Sequence, residues 1–359
     1  MASTDRSHRM GATAVAERPT DAMWFSKLVG PQTAPAAHRA EVSARTAEPA
    51  IGVVEGLPGA VTDMVLSADG RSLVAAHYGD DAVSVIDVAT LAVTATAEGV
   101  AEPYALAVAD RVYASCAGIA EDSVAAIDTA AGVELAAKGV PASARGLAVS
   151  PSGDTIYLAR CIDDAADIAV IDVESGVART IPIARSAGAT VDTVRVSPDG
   201  ARLYAALTTE SGAALLVIDL RAQRVSRTIA MSGSIGDIAV HRDGRRVVVT
   251  GWNAERGGQV AVIDPAAGRV SKVIAVDGLP TQVVLGGTQA YVVHGDGDAA
   301  QVSVLDIATS KVVDRIDLGR PVSCVAVSRD GARLYVADYQ GAITATVVGS
   351  TGAHLRAAS

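Results

Sequence analysis

Short apolar runs ending in Ile-Asp or Leu-Asp return every 41 to 47 residues along this chain, at Asp87, Asp128, Asp172, Asp219, Asp264 and Asp306. A fixed period of this size marks one supersecondary unit copied and stacked, since a single unit cannot bury its apolar face alone. The fullest copy begins Asp192-Thr-Val-Arg-Val-Ser-Pro-Asp-Gly-Ala-Arg-Leu-Tyr-Ala-Ala, continues to Leu215-Leu-Val-Ile-Asp-Leu, and closes on Arg224-Val-Ser-Arg-Thr-Ile. Its runs are short, β-branched and separated by turn residues, and Pro198-Asp199-Gly200 supplies the dihedrals of a tight turn. Four strands per unit follow: Thr193–Ser197, Arg202–Leu207, Ala214–Asp219 and Val225–Ala230.

The turn between first and second strands recurs seven times: at Asp69-Gly70, Asp110, Ser152-Gly153, Asp199-Gly200, Asp243-Gly244, Gly286-Gly287 and Asp330-Gly331. The seventh unit lacks an outer strand after Ala342–Val348, while a spare strand, Ala50–Val54, precedes the first unit. A ring in which the N-terminal strand completes the last unit removes the open seam, whose unpaired edge would invite aggregation. The fold class predicted is all-β: a seven-bladed β-propeller of four-stranded blades over residues 49–349. Residues 1–48 read as a disordered tail rich in Ala, Thr, Ser, Arg and Pro, and 350–359 as a flexible end. Helical repeats share the period, but Pro-Asp-Gly turns and Val-rich alternation oppose helix. The Trp-Asp signature of WD40 repeats is absent, and kelch repeats run nearer ~50 residues.

The Leu-Tyr-Ala-Ala and Leu-Tyr-Val-Ala strands, the Val-Ile-Asp ends and the Ser-Pro-Asp-Gly turn together resemble the YVTN-type, YncE-like seven-bladed propellers, over about Ile51 to Gly349. The resemblance implies the fold rather than an activity: that group spans surface-layer proteins, proposed DNA binders and uncharacterised members, and looks distantly similar to lactonase-type propellers. Tyr113, Tyr157, Tyr204, Tyr291 and Tyr335, five of the eight tyrosines, share one repeat position. A catalytic tyrosine would be unique, so these are expected to pack between blades, and the repeated Asp residues to cap the following turns.

Net charge of −10 does not favour nucleic acid as a partner, and aromatics at 3% leave few platforms for stacked bases. The family resemblance alone keeps DNA open. No stretch of about 18 apolar residues spans a membrane, and no secretory-type apolar run opens the chain, so a cytoplasmic monomer is expected, with the cell surface or a non-Sec export route as the alternative. Three cysteines make no disulfide framework, although Cys116 and Cys161 fall at nearly equivalent places in adjacent blades and could pair.

Function is expected where the repeat is broken, on the acidic face of variable loops and at the channel mouth. The ligand-binding face is assigned to Asp63, Tyr104, Arg145, Asp192, Asp237, Trp252 and Gln282. No cofactor is predicted outright. A divalent cation is the one the residues could hold, through Asp63, Asp192 and Asp237, since hard cations take oxygen ligands. The competing role for these acids is to hydrogen-bond strand ends and Arg145. His77 and His294 stand beside carboxylates in the loops and, with Arg145, are the candidate catalytic residues. Outside the repeats, Met23-Trp24-Phe25-Ser26-Lys27-Leu28-Val29 is apolar in polar surroundings, and Trp24 and Phe25 form a candidate partner motif. The preferred function is a non-catalytic binding or protein-interaction scaffold for a protein or small-molecule ligand. The alternative is a lactonase or hydrolase-type enzyme with a channel-mouth site, metal-dependent if the three acids bind a cation.

Overall fold

The computed structural model describes residues 45–46, 50–117, 122–129, 138–140, 144–162, 164–186, 188–297 and 299–348. Trp24 and Phe25, and most of the stretch read as a tail, lie outside them. Seven antiparallel sheets follow one another in sequence, and the innermost strand of each touches that of the next all the way round: Asp63–Leu66, Pro103–Val108, Ala144–Val149, Thr190–Val196, Ser234–Val240, Leu279–Gly286 and Cys324–Val327, the last returning to the first. We number these blades 1 to 7. Beyond them the described residues contain a single short 3-10 turn, Tyr78–Asp80.

Blade 7 closes as the sequence predicts. Its outer strand is Gly52–Val54, paired with Ile343–Val347 through Gly52↔Ala345, Val53↔Thr344 and Val54↔Ile343, and extended by the Ile51 N–H donating to the Ala345 carbonyl at 2.8 Å. One pairing was not anticipated. Arg45–Thr46, within the stretch read as a tail, lies parallel to the outer strand of blade 6, Lys311–Asp317.

The core is divided among the blade interfaces. Seven clusters of buried side chains occur, one between each pair of neighbouring blades, including blades 7 and 1. This division follows from the alternation of each strand: odd and even residues face opposite neighbours, so a blade is apolar on both faces. All five repeated tyrosines sit in these clusters. Tyr113 donates to the Gly153 carbonyl in the next blade's turn at 3.2 Å, and Tyr291 likewise to Gly331 at 2.8 Å. Burial pushes the Tyr291 phenol up to about 12. The repeated acids cap turns as read: Asp87 Oδ1 accepts the Thr90 N–H at 2.8 Å, Asp219 that of Ala222 at 2.8 Å, and Asp306 that of Thr309 at 2.7 Å.

Strand lengths differ from the sequence expectation. The second and third strands of blades 3 to 6 extend to seven or eight residues. Trp252 therefore lies within the strand Val247–Asn253, paired with Ser234 and Gly258, instead of in a loop.

Candidate functional site

The innermost strands of blades 2 to 6 start before the positions expected, and each shifts register there, at Pro103/Ala105, Ala144/Leu147, Val191/Val194, Ile235/Ile238 and Pro280/Gln282. Such bulges re-aim side chains, and Tyr104, Arg145, Asp192, Asp237 and Gln282 lie at or beside them, whereas Asp63 is on the regular inner strand of blade 1. Asp237 is buried; its Oδ1 accepts the Ile238 N–H at 2.8 Å and Arg195 Nη2 at 2.9 Å, and its Oδ2 accepts the Val283 N–H of blade 6 at 3.0 Å. Asp63 does the same between blades 1 and 2, taking the Met64 N–H at 2.8 Å and the blade 2 Leu106 N–H at 2.7 Å. Gln282 repeats the bond without charge: Oε1 accepts the Val325 N–H of blade 7 at 2.7 Å, and Nε2 donates to the Val325 carbonyl at 3.2 Å. Three of the predicted residues thus tie the inner strands of blades 1, 5 and 6 to those of blades 2, 6 and 7.

The electrostatics follow from that placement. Burial raises the carboxyl of Asp237, against the opposing pull of Arg195 and the two N–H donors. Burial likewise raises Asp63, with Asp237 adding to the rise and Arg195 opposing it across the ring. Arg195 is therefore the cation serving both acids, and it was not among the residues singled out from sequence. Its signal was present: the equivalent inner-strand positions carry Val65, Ala107, Ala148, Ala239, Val284 and Ala326, so Arg195 alone is charged.

Arg145 and Asp192 meet. Nη1 of Arg145 is 2.9 Å from Asp192 Oδ1, and Thr190 donates to Oδ2 at 2.9 Å, with both charged side chains partly open to solvent. Burial pulls the Arg145 guanidinium down, but Asp192 above all, with Cys161 and Tyr104, more than offsets it. Tyr104 is half-buried beside this pair. Asp63, Asp192 and Asp237 do not converge as a ligand set. Among the described residues no group of three or more His, Cys, Asp or Glu is placed to hold a metal ion.

The histidines are not in solvated loops. His77 is fully buried at the end of the strand Ser72–His77, with Nδ1 3.0 Å from the Gly59 carbonyl and Nε2 3.0 Å from Ser84 Oγ. Burial lowers its pKa. His294 occupies the corresponding place in blade 6, with Nε2 2.8 Å from Ser303 Oγ and the Asp277 backbone as a further partner. Burial brings it down to about 4. Gly59 and Asp277 both lie in segments that enter a blade, so each histidine holds an incoming chain to its blade.

Comparison with known proteins supports one frame for all of this. No family model matches the chain. The seven-bladed β-propeller protein Rv1057 of Mycobacterium tuberculosis is 34% identical over 331 residues, covering 82% of this chain and 83% of that one. The chain belongs to the seven-bladed β-propeller family. Among solved structures, a chain of Kuenenia stuttgartiensis hydrazine synthase superposes with a TM-score of 0.69 at 24% identity, over 82% of this chain and 97% of that one. The Cps50 (Swd1) β-propeller domain of Myceliophthora thermophila gives 0.68 at 14% identity, over 84% and 99%. At those identities the two structures share the fold alone.

The propeller frame also separates the cysteines. All three thiols are free. Cys116 packs in the cluster between blades 1 and 2, whereas Cys161 packs against that between blades 3 and 4, so they do not form a pair. Burial pushes Cys116 up to about 11 and also raises Cys161 and Cys324. Arg160 is not among the residues singled out from sequence. It is buried, with Nε 2.7 Å and Nη2 3.0 Å from the two oxygens of Asp167.

Proposed function

We propose that this propeller is a non-catalytic binding or protein-interaction scaffold, with its contacts on the variable loop face and around the channel mouth. One observation carries the reading: the polar groups that could do chemistry at the mouth are already engaged in the fold. Both oxygens of Asp63, Asp192 and Asp237 accept hydrogen bonds, and both candidate histidines are buried against serine hydroxyls. A general base has to reach a substrate proton and be accessible to it, and a phenol or imidazole committed to a blade interface is not. The partner is a protein or small molecule rather than nucleic acid, given the net charge of −10. The YVTN-type motifs favour membership of that subgroup within the family. Among the described residues no helix is long and apolar enough to cross a membrane.

A specific observation favours a second reading. Asp63 and Asp237 are carboxylates whose pKa burial raises, near a shared arginine, and perturbed acids gather at catalytic sites. A panel of lactones and carboxyl esters, assayed with and without added Mg²⁺, Ca²⁺ or Zn²⁺, separates the two. The scaffold reading expects no turnover and no stabilisation reversed by EDTA. Turnover that Asp237→Asn abolishes while circular dichroism stays unchanged would replace it with the enzyme reading.

A further inference from the structure

A cavity of about 390 Å³ opens between blades 3 and 4, away from the channel, lined among others by Tyr157, Val170, Asp172, Arg179, Ile181 and Leu220. Its size is that of a small-molecule pocket. Tyr157, Val170 and Arg179 lie in one cross-strand row on the face of blade 3 turned to blade 4. Two strand spacings, roughly 10 Å, separate the backbones of Tyr157 and Arg179.

Neighbouring interfaces show what this row does elsewhere. In blade 4 the corresponding cation, Arg227, lies over the turn of blade 5, so close that a Cβ on Gly268 would meet its Nη1 at 2.7 Å. In blade 5 Lys272 Nζ donates to the Ser310 carbonyl of blade 6 at 2.7 Å. The tyrosines of blades 2 and 6 reach the next blade's turn glycine. Blade 3 departs from both patterns, and it shares the tyrosine departure with blades 4 and 7, whose Tyr204 and Tyr335 hydroxyls also lack a partner. Gln223 stands at the left-handed turn position held by Gly268 and Ser310, with φ of 51°, and lines the cavity with Arg179. Among the described residues Arg179 has no ion pair, and the Tyr157 hydroxyl has no hydrogen-bond partner although Tyr157 is only 7% exposed. The Tyr157 hydroxyl is not sealed in the core as those of Tyr204 and Tyr335 are, and it borders a space large enough for a partner.

We propose that this inter-blade cavity binds a small monocarboxylate with an apolar body. The carboxylate pairs with Arg179 and accepts from the Tyr157 hydroxyl, and the body lies against Val170, Ile181 and Leu220. Asp172, in the same wall, disfavours a second negative charge on the ligand. The site is separate from the loop face and stands or falls independently of the scaffold reading.

Octanoate is a direct probe, titrated into the full chain by calorimetry with octanamide as the neutral control. With about ten non-hydrogen atoms and ordinary ligand efficiency, a Kd on the order of 1 mM is expected. Arg179→Gln, a surface change, should weaken binding roughly tenfold, as loss of a charge-assisted pair does. Tyr157→Phe should weaken it severalfold, and octanamide should bind as poorly as octanoate does to Arg179→Gln. Absence of saturable binding up to roughly twenty times that Kd, or equal affinity in wild type and both variants, overturns the proposal.

Discussion

His294 links a local burial to a global measurement. Its residue is 2% exposed, Ser303 holds Nε2 at 2.8 Å, and burial keeps its pKa near 4 against an ordinary 6.5. As pH falls through 6.5 the unfolded chain takes up a proton at this position, and the native protein does not until about pH 4. The unfolded state therefore binds more protons in that window, and stability falls as the solution is acidified. The contribution is complete above about pH 7. It is reduced by about 2 kcal/mol at pH 5 and about 3 kcal/mol at pH 4. His77, lowered by burial in the same sense, adds to the loss. Turn-capping carboxylates such as Asp87 and Asp199 are held below their usual value and lose their contribution only as pH falls past the carboxylate range. The interval from pH 7.5 to 5 thus lies above the titration of the turn caps; Asp63 and Asp237, raised by burial, act in the opposite sense there, and comparison with a variant lacking only the histidines cancels them.

Urea unfolding followed by far-UV circular dichroism at pH 7.5, 6.5, 5.5 and 5 reads the effect as a shift in midpoint at constant slope. The double variant His77→Asn, His294→Asn should start less stable but lose at least about 2 kcal/mol less over the interval. Should that variant fail to fold, ring carbon shifts of His294 in the wild-type protein give the same answer. Equal pH slopes, or a native titration midpoint near 6.5, would refute the inference that the ring is held neutral by its burial.

Ring closure predicts a sharp contrast between truncations. Removing residues through Gly56 deletes the strand Gly52–Val54, with about 2 kcal/mol from buried Val54 and about 1 kcal/mol per ladder bond, and the melting temperature should drop by many degrees, whereas removing residues 1–44 should leave it near wild type. Arg160→Ala removes the bidentate partner of the partly buried Asp167 and should cost about 2 kcal/mol in urea titration. Replacing both residues by leucine should recover most of that. Cys116 and Cys324 are buried thiols with raised pKa, so an aromatic disulfide reagent should leave both unlabelled in native protein and label them fully in denaturant.

Much of this architecture was readable because its signals are local and repeated. Pro198-Asp199-Gly200 states a turn in three residues, and five tyrosines in register state one packing position. The spare strand at Ile51 could be matched to blade 7 because the repeat shows what that blade lacked. What escaped was whatever depends on register or on a segment from another blade. Cys116 lies three residues after its blade's tyrosine and Cys161 four after its own. On a strand that single step turns a side chain to the opposite face, so near-equivalent positions became opposite interfaces. His77 looked like a loop residue because nothing in its own repeat reveals that Gly59, 18 residues upstream, covers it. Trp252 was read as loop because hairpins lengthen in blades 3 to 6, and strand ends carry the weakest sequence signals.

Several departures from the repeat adjoin one another. Near blades 3 and 4 lie the solvent-facing pair Arg145–Asp192, the buried pair Arg160–Asp167 and the cavity lined by Tyr157 and Arg179. Arg195, the sole charged residue at its inner-strand position, extends from blade 4 toward Asp237. A repeat protein gains stability from each interface in nearly the same way, so selection for folding alone would leave seven interfaces interchangeable. Here several of the specialised polar groups cluster on one arc, while the interface between blades 4 and 5 remains closed by Arg227 over Gly268. Breaking a packing rule costs stability that must be regained elsewhere, so departures from the repeat are where function rather than folding is expected to have shaped the blades.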